Sequence, residues 1–511
     1  MDTPRPFADD FRPLVRRIGK APEDWQRADL VDLCIEDGIR LLNLRYVALD
    51  GKLKELRLPI RDRAYLERVL AAGERVDGSS LFPGLFETRA SDLYVLPVYR
   101  WAYLNPWAPD ELEIVCRFAD ADGAPAPTPD NLLAEVVGRL NERSGLGLDA
   151  LAELEFYAFT RPPDQRFPGK AQRNYHQSSP YLHSRALADE VLRVMSAVSG
   201  RVKYAHSEVG YIERLPSDLP EIDGCRVEQH ELEFDLMPIE DLGTWLCVAR
   251  WLVREIASRH GASVTYLPKL DEGMAGSGMH LHLALTRDGH NVMKAEGGEL
   301  SDEALALVGS LLTHAPELTA FGSTVAASFL RLVPGQEAPT RICWGHRNRA
   351  GLVRVPLDFG GTARLDQLMN PAEVGDYPAS LSRTTVEYRS PDGSAFPLLL
   401  LAAVAVCAEA STRDVELPAH LDAAARLEVL PNTDLDAFEH LPASAVAAAR
   451  SLRGARSFFE ESGFPARLVD VVAAKLEAEQ DETLGEVLRQ LPAAERLRES
   501  RRLMHKDLHK H

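Results

Sequence analysis

Four pairs of polar residues, each separated by one position, interrupt stretches that are otherwise apolar. The pairs are Glu153 and Glu155 in AELEF, Glu231 and Glu233 in EQHELEF, His280 and His282 in GSGMHLHLAL, and Glu387 and Arg389 in TVEYRSPDGSA. On a β-strand, residues i and i+2 point to the same face. Each pair therefore predicts a strand with a polar patch on one face of a partly buried sheet.

Several carboxylates on one partly buried face are costly unless a cation neutralises them, because each loses hydration and neighbours repel one another. A single ExE pair is more often a solvated strand face, and a single HxH pair more often consists of surface or core histidines. Four such pairs in one chain favour a metal site. Oxygen-rich ligation with one imidazole suits Mg²⁺ or Mn²⁺ better than Zn²⁺. The periodicity leaves open which members converge, and Glu233 is not needed for the set.

A cluster of arginines forms a second pattern. The segment RLVPGQEAPTRICWGHRNRAGLVRVP contains Arg331, Arg341, Arg347, Arg349 and Arg354. Guanidinium groups suit carboxylate and phosphate oxygens, whereas structural ion pairing is the alternative that we favour for Arg341 and Arg347. Acidic metal ligands together with buried arginines indicate a nucleotide phosphate site. The sequence has neither a GxxxxGK[ST] nor a GxGxxG motif, so the common nucleotide folds are not indicated.

Composition excludes two classes of partner. The 511 residues include 58 Lys and Arg against 77 Asp and Glu, which gives a net charge of −19. Nucleic-acid coats and polybasic membrane surfaces both need clustered positive charge. The longest apolar run, 398–408, is about half the length of a membrane span and predicts a buried helix. With no CxxC pair and no apolar leader at the start, we expect a cytoplasmic protein.

The pattern along the chain predicts three segments. Residues 1–25 are predicted to form an arm, 26–120 a small sheet-rich domain, and 128–511 a large domain, with the Ala-, Pro- and Gly-rich stretch 119–131 at the boundary. Two strand-like runs around Asp50 and Gly51 predict a hairpin. The final third is predicted to be helical. Its last stretch, RRLMHKDLHKH, is predicted to be a solvated tail, with metal binding as the alternative.

Six segments resemble motifs of the glutamine synthetase family and occur in the family's order. They are DGSS (77–80), ELEF (153–156), GSGMHLH (276–282), RLVPGQEAP (331–339), NRAGLVRVP (348–356) and VEYRSPDGSA (386–395). The resemblance runs from about residue 27 to the C-terminal helices. It implies an α+β fold, in which a small β-grasp-like N-terminal domain precedes a large α/β catalytic domain with a curved antiparallel sheet and a helical C-terminal part. It also implies rings of subunits, usually a dodecamer of two hexamers, with active sites at subunit interfaces.

The same resemblance implies two sets of metal ligands. One set is Glu155, Glu208 and Glu231, and the other is Glu153, His280 and Glu387. Glu208 is placed by HSEVG, but residues 212–227 look like an insertion before the next strand, so Asp223 is a rival for that role. Two or three Mg²⁺ or Mn²⁺ ions per site are implied.

Roles toward substrates follow in the same way. ATP would contact His282 and Arg354, while L-glutamate would be held by Arg331, Arg389 and the backbone of Gly276. Arg349 would stabilise the transferring phosphoryl group. The predicted base on ammonium is Asp77, reaching the site of a neighbouring subunit, and Glu337 would lie in a loop that closes over the site and helps to receive protons.

Several positions depart from the family pattern. Ala275 replaces an Asn that helps to hold glutamate, and Thr385 replaces an Arg that contacts ATP. The others are Lys203 for Glu, Ala284 for Ser and Phe396 for Asn. There is no NLYDLP-like segment, so adenylylation of its Tyr is not predicted. The amino-acid and nucleotide pockets therefore differ from the usual pattern more than the metal set does.

The resemblance implies ATP-dependent ligation of ammonium to the γ-carboxylate of glutamate through γ-glutamyl phosphate. Asp77 and Glu337 favour ammonium as the nucleophile, because a pair of carboxylates suits a bare cation. Ala275 leaves extra room and keeps a polyamine or small alkylamine open as an alternative nucleophile. A catalytically silent ring is the alternative of another class, and loss of metal ligands, its simplest mark, is not seen in the sequence.

Overall fold

The computed structural model describes residues 7, 9–161, 166–333, 338–358, 365–375, 383–431 and 433–511. In these ranges the strands are β1 (Leu41–Val47), β2 (Leu53–Pro59), β3 (Glu74–Asp77), β4 (Asp92–Asn105), β5 (Ala108–Ala119), β6 (Gly147–Thr160), β7 (Val202–Ile212), β8 (Arg226–Phe234), β9 (Met237–Pro238), β10 (Ser263–Thr265), β11 (Leu281–Arg287), β12 (His290–Asn291), β13 (Trp344–His346), β14 (Val353–Val355) and β15 (Val386–Tyr388). The helices are α1 (Pro13–Ile18), α2 (Arg27–Glu36), α3 (Arg63–Ala72), α4 (Gly78–Leu81), α5 (Pro129–Ser144), α6 (Arg185–Ser199), α7 (Ile239–Arg259), α8 (Asp302–Thr313), α9 (Ala315–Gly322), α10 (Ala326–Arg331), α11 (Leu365–Met369), α12 (Pro397–Ala410), α13 (Leu417–Arg426), α14 (Ala445–Gly454), α15 (Arg456–Glu461), α16 (Ala466–Glu477), α17 (Leu484–Gln490) and α18 (Ala493–His505).

The first sheet has five strands in the order β2-β1-β5-β4-β3. β1 and β2 pair antiparallel, which confirms the predicted hairpin, and β1 pairs parallel with β5. Gly51 in the hairpin turn has a φ of +78°, and a Cβ there would lie 2.5 Å from Cδ of Pro397. Glycine therefore allows this turn to lie against the first residue of α12.

The apolar run 398–408 forms the core helix that the sequence predicts. Every residue of α12 is buried. The helix packs against α5, α7, α8 and α9. It therefore ties α5, which precedes the second sheet in the chain, to three helices that connect strands of that sheet.

The second sheet has ten strands, and its main path runs β13-β14-β15-β11-β6-β8-β7. Its pairings are antiparallel apart from the parallel pair β13 and β14. β6 lies in the middle, and its even-numbered residues, such as Leu154 and Phe156, are buried in the core. The odd-numbered residues Glu153 and Glu155 lie on the opposite face, as the alternation predicts. This agrees with the predicted mixed α/β architecture.

The insertion between β7 and β8 folds back over one end of the sheet. Leu215, Ile222 and Cys225 are buried in a cluster with Tyr157 and Phe159 of β6. The Arg161 guanidinium donates hydrogen bonds to the insertion's backbone carbonyls, the shortest at 2.8 Å. The insertion therefore extends the hydrophobic core beyond the polar part of β6.

The prediction of a solvated C-terminal tail is wrong. Met504, His505, Leu508 and His511 are all buried. Leu508 joins the cluster around Tyr157, and its carbonyl accepts a hydrogen bond from the Thr265 hydroxyl at 2.9 Å. Met504 lies in the last turn of α18 and packs against Val325 and Ala327, whereas Leu508 follows the helix and joins a different cluster. The local excess of basic residues hid this apolar pair in the sequence.

No single described helix is both long and apolar enough to cross a membrane, whereas α8 and α9, bent by 73° at their junction, satisfy length and composition only as a pair.

A close helix contact behind the second sheet gives a stability prediction. A Cβ on Gly309 of α8 would lie 1.8 Å from the carbonyl oxygen of His420 in α13, whereas nothing lies within 4 Å of a Cβ on Gly138 in α5. We expect Gly309→Ala to force α8 and α13 apart and to lower the free energy of unfolding by roughly 1–3 kcal/mol. Gly138→Ala, the control, should raise it by about 1 kcal/mol. Urea unfolding followed by circular dichroism measures both, and an unchanged midpoint for Gly309→Ala would contradict the contact.

Candidate functional site

The register of β6 against β8 places four glutamates on one face of the sheet. Glu153 lies directly opposite Glu233, and Glu155 directly opposite Glu231. Directly opposed residues in a sheet have Cβ atoms only about 5 Å apart. Glu155, Glu231 and Glu233 are also buried. β6 and β8 therefore concentrate negative charge that only groups from other elements can relieve.

Histidines approach these glutamates from β11 and the residues just before it. His280 Nδ1 donates to Glu153 at 2.6 Å and lies 3.7 Å from a Glu387 oxygen. His282 Nε2 lies 2.9 Å from the other Glu153 oxygen, and its Nδ1 lies 3.1 Å from the Thr385 hydroxyl. Two alternating pairs of the sequence thus meet at Glu153.

Arginines enclose Glu387 from β14 and from its own segment. Arg354 of β14 and Arg389 donate to its two oxygens at 2.8 and 2.6 Å. Arg331, at the end of α10, is only 3% exposed and donates to the carbonyl of Ser390 at 2.7 Å. These contacts fix the fourth alternating pair and hold the Arg331 guanidinium against it.

β7 contributes a third group of side chains. His206 Nε2 lies 3.2 Å from Glu231, and its Nδ1 lies 3.9 Å from Glu208. Lys203 donates to Glu233 at 2.6 Å. The sequence places Glu208 here but gives no role to His206, although the two form an HxE alternation of the same kind as the other pairs.

A cavity of about 400 Å³ opens between these strands and loops. Among the predicted residues that line it are Glu153, Glu155, Glu208, Glu231, His280, Glu387, Gly276, Arg331, Arg349, Arg354 and Arg389. Tyr175 and Tyr204 also line it, and the sequence does not indicate either one. The structure therefore brings eleven of the fourteen predicted positions to one cavity.

The remaining predicted positions lie elsewhere. His282 is not among the lining residues; it lies buried against Glu153 and Thr385. Asp77 is at the end of β3 in the first sheet, and Glu337 lies outside the described residues. Asp223, the rival of Glu208, accepts a hydrogen bond from the Ser217 backbone within the insertion and does not line the cavity.

Burial and like charge shift the pKa values of the lining carboxylates in different directions. Burial and the charge of Glu208 raise the pKa of Glu155 to about 7. Burial, together with Glu153 and Glu155, raises the pKa of Glu231 to about 8. Although burial disfavours its charge, the imidazoles of His280 and His282 hold the pKa of Glu153 well below its usual range. Near neutral pH, protons therefore compete with any bound cation for the carboxylates of Glu155 and Glu231.

These groups could hold divalent cations. Single ligand atoms of Glu153, His282 and Glu387 lie within 4.8 Å of one another, and so do those of His206, Glu208 and Glu231. Gly278 leaves open the space beside His280 and Glu155, since a Cβ there would lie 2.8 Å from His280 and 3.1 Å from Glu155. Carboxylate oxygens with imidazole nitrogen fit Mg²⁺ or Mn²⁺.

Three departures from the family pattern acquire partners in the structure. Lys203 donates a hydrogen bond to the Glu233 carboxylate, and the Thr385 hydroxyl lies within hydrogen-bond distance of His282 Nδ1. The carbonyl of Ala275 accepts a hydrogen bond from Tyr157, and its N–H donates to Gln172 at 2.6 Å. The Ala275 backbone is thus anchored although its side chain contributes no polar group.

Comparison with known proteins agrees with this geometry. The family model for the glutamine synthetase catalytic domain matches residues 127–488. A glutamine synthetase of Pyrococcus horikoshii is 31% identical over 368 residues, which cover 72% of this chain and 73% of that protein.

Two solved structures share the fold. A Plasmodium falciparum glutamine synthetase has a TM-score of 0.69 at 16% identity and covers 92% of this chain and 98% of its own. A structure described as apo GmaS without ligand has a TM-score of 0.66 at 21% identity, with the same coverage. The catalytic-domain match and the archaeal relative both show that the chain belongs to the glutamine synthetase family.

Proposed function

We propose that the chain ligates ammonium to the γ-carboxylate of L-glutamate, using ATP and passing through γ-glutamyl phosphate, and releases glutamine, ADP and phosphate. The observation that carries this proposal is the convergence of all six predicted metal ligands and four predicted arginines on one cavity. A glutamine synthetase type of ligase needs both sets at one place, because the phosphoryl donor and the acceptor carboxylate are both anions.

The charge balance of the lining supports an anionic ligand once cations are bound. Five glutamates face four arginines, so their charges nearly cancel without a ligand. We assign Glu155, Glu208 and Glu231 to one cation and Glu153, His280 and Glu387 to the other. Mg²⁺ or Mn²⁺ bound there would neutralise charge on the phosphate chain of ATP.

The arginines take the substrate roles in this proposal. Arg331 is buried behind Gly276, so the two would form the amino-acid side of the cavity together with Arg389. Arg349 is exposed at the cavity and would reach the transferring phosphoryl group. Arg354 lines the cavity and contacts the Glu387 carboxylate, so an ATP phosphate beside it would lie next to the proposed metal ligands. His282 is buried against Glu153 and would have to turn toward the cavity to contact ATP.

Asp77 would serve the cavity of a neighbouring subunit when copies of this chain assemble into a ring. Each subunit would consist of the proposed arm (1–25), N-terminal domain (26–120) and catalytic domain (128–511). The Asp77 carboxylate is exposed and accepts hydrogen bonds from the hydroxyls of Ser80 and Ser79 at 2.6 and 2.8 Å. Hydrogen bonds from serine side chains hold the pKa of Asp77 well below its usual range. An acid that remains ionised binds a cation better than it accepts a proton, which favours a role in holding ammonium.

A second nucleophile is favoured by one observation. Tyr175 and Tyr204 are 50% and 43% exposed, line the cavity beside Glu208 and Glu231, and form an aromatic cluster with His206. Aromatic faces attract organic cations and cover their apolar parts. A small alkylamine or polyamine that enters as a cation is therefore the second candidate.

Phosphate release measured with Mg²⁺-ATP and glutamate tests the proposal. We expect turnover with ammonium to exceed that with methylamine, ethanolamine and putrescine. Glu387→Gln, which keeps the side-chain shape, should lower every rate by roughly a thousandfold because it removes a charge that metal binding needs. Faster turnover with an amine would replace ammonium by the second candidate. No turnover with any nucleophile would support the alternative of a catalytically silent ring.

Asp77→Asn separates the two chemical steps. The change removes the charge that would hold ammonium, so the KM for ammonium should rise at least about tenfold. Formation of γ-glutamyl phosphate, trapped with hydroxylamine, should stay within about twofold of wild type, since that step involves no ammonium. An equal fall in both steps would exclude a selective role for Asp77.

The raised pKa values predict how metal affinity depends on pH. Cations must displace protons from Glu155 and Glu231, whose pKa values are about 7 and about 8 in the metal-free protein. Affinity for Mn²⁺ should therefore fall as pH falls from 8.5 to 6.5, by roughly tenfold to a hundredfold. Electron paramagnetic resonance of free Mn²⁺ measures this. Glu231→Gln should bind more weakly with a shallower pH dependence, and a pH-independent wild type would refute the prediction.

A further inference from the structure

The last segment of the chain, residues 493–511, packs against two elements that reach the cavity. One is the loop 267–276, which ends at Gly276, and the other is α10, which ends at Arg331. Neither the motifs nor the proposed chemistry assigns a role to this segment. Its contacts are nevertheless polar, specific and partly buried.

The loop is held by three side chains of α18 through charged or hydroxyl groups. Arg501 forms a fork of two hydrogen bonds to the two oxygens of Asp271, both 2.9 Å long. Ser500 and Arg496 donate to Glu272 at 2.5 and 3.2 Å. A two-pronged arginine–carboxylate pair fixes orientation as well as distance.

His505 extends this contact to the insertion. Its Nε2 donates to the carbonyl of Leu270 at 2.9 Å, and its Nδ1 accepts from the Ser217 hydroxyl at 2.9 Å. His505 is 2% exposed, so these two bonds satisfy both ring nitrogens of a neutral imidazole away from water. The loop, the insertion and α18 are therefore joined at one histidine.

The same segment holds α10. Met504 is buried against Val325 and Ala327. Glu479 accepts a hydrogen bond from the backbone N–H of Ala326 at 3.0 Å and pairs with Lys506 at 2.6 Å. The start of α10 is thus fixed from the same side as the loop.

Little free space separates the loop from Arg331. A Cβ on Gly276 would lie 2.6 Å from Cγ of Arg331 and 2.9 Å from the Pro268 carbonyl. Gln229 donates both to the Gly276 carbonyl at 3.1 Å and to Glu155 at 2.6 Å. A shift of the loop would therefore move Gly276 and disturb its contacts with Arg331 and Gln229 together.

We propose that residues 493–511 position the amino-acid side of the cavity, with Arg501 and Asp271 as the central pair of positioning residues. This inference rests on the proposed function, because it takes Gly276 and Arg331 as contacts of the amino-acid substrate. The segment touches no reacting atom and acts only through the loop and α10.

Two charge-removing variants and their combination test the pair. Arg501→Gln and Asp271→Asn should each raise the KM for glutamate about tenfold, which corresponds to roughly 1.4 kcal/mol. The KM for ATP should stay within about twofold, because the proposed ATP contacts lie on β11 and β14 and not on the loop or α10. The double variant should be no worse than either single one, since both remove the same interaction. Arg502→Ala is the matched control: its side chain is 70% exposed on the same helix and should change neither value.

A second measurement needs no substrate. Hydrogen–deuterium exchange in the intact wild-type protein and in Arg501→Gln should show amides of residues 270–276 exchanging roughly tenfold faster in the variant, with Arg502→Ala unchanged. Unchanged exchange, additive effects in the double variant, or equal rises in both KM values would overturn the positioning role. Faster exchange in a protein that does not turn over glutamate would show that Arg501 holds the loop and would reject the proposed function instead.

Discussion

Glu155 and Glu231 lie directly opposite each other on β6 and β8. The repulsion between these like charges is the constraint on which the rest of the site depends. The antiparallel register that buries Leu154, Phe156 and Leu232 behind the sheet leaves these carboxylates on the other face. A shift of one residue would place them in the core, so the hydrophobic pattern and the acidic patch enforce the same register. The fold therefore stabilises an arrangement that electrostatics alone would oppose.

The surrounding side chains relieve this repulsion unevenly. Glu153 has two imidazoles, Glu233 has Lys203, and Glu387 has two arginines, whereas Glu155 is hydrogen-bonded by the neutral amide of Gln229. Glu231 has the His206 imidazole 3.2 Å away, and the raised pKa values of Glu155 and Glu231 show that burial and like charge outweigh these partners. Basic side chains thus neutralise the periphery, and Glu155 and Glu231 lie where a removable cation would be bound and exchanged.

Much of this could be predicted from the sequence because strand alternation is local. The pairs at Glu153, Glu231, His280 and Glu387 needed only the two-residue period, and the apolar run of α12 needed only its length. Register is not local, so the sequence could not tell that His282 contacts Glu153 or that His206 joins Glu231. The tail was predicted wrongly for the same reason. Met504 and Leu508 form too short an apolar pattern to indicate burial, and their partners lie in α10 and β6.

The departures from the family pattern change how the carboxylates of the site are neutralised, and they leave the predicted metal ligands in place. Lys203 places a positive charge where a carboxylate is usual and pairs with Glu233, so the number of uncompensated acids on this face is lowered. Thr385 replaces a guanidinium but keeps a hydroxyl within hydrogen-bond distance of His282. Ala275 brings no polar side chain to the loop that would form the amino-acid side in the proposed function, and α18 holds this loop through Asp271 and Glu272. A pocket that has lost a direct polar contact depends more on how rigidly its remaining groups are held. The loop that carries Ala275 therefore depends on its hydrogen bonds to α18 for a fixed position.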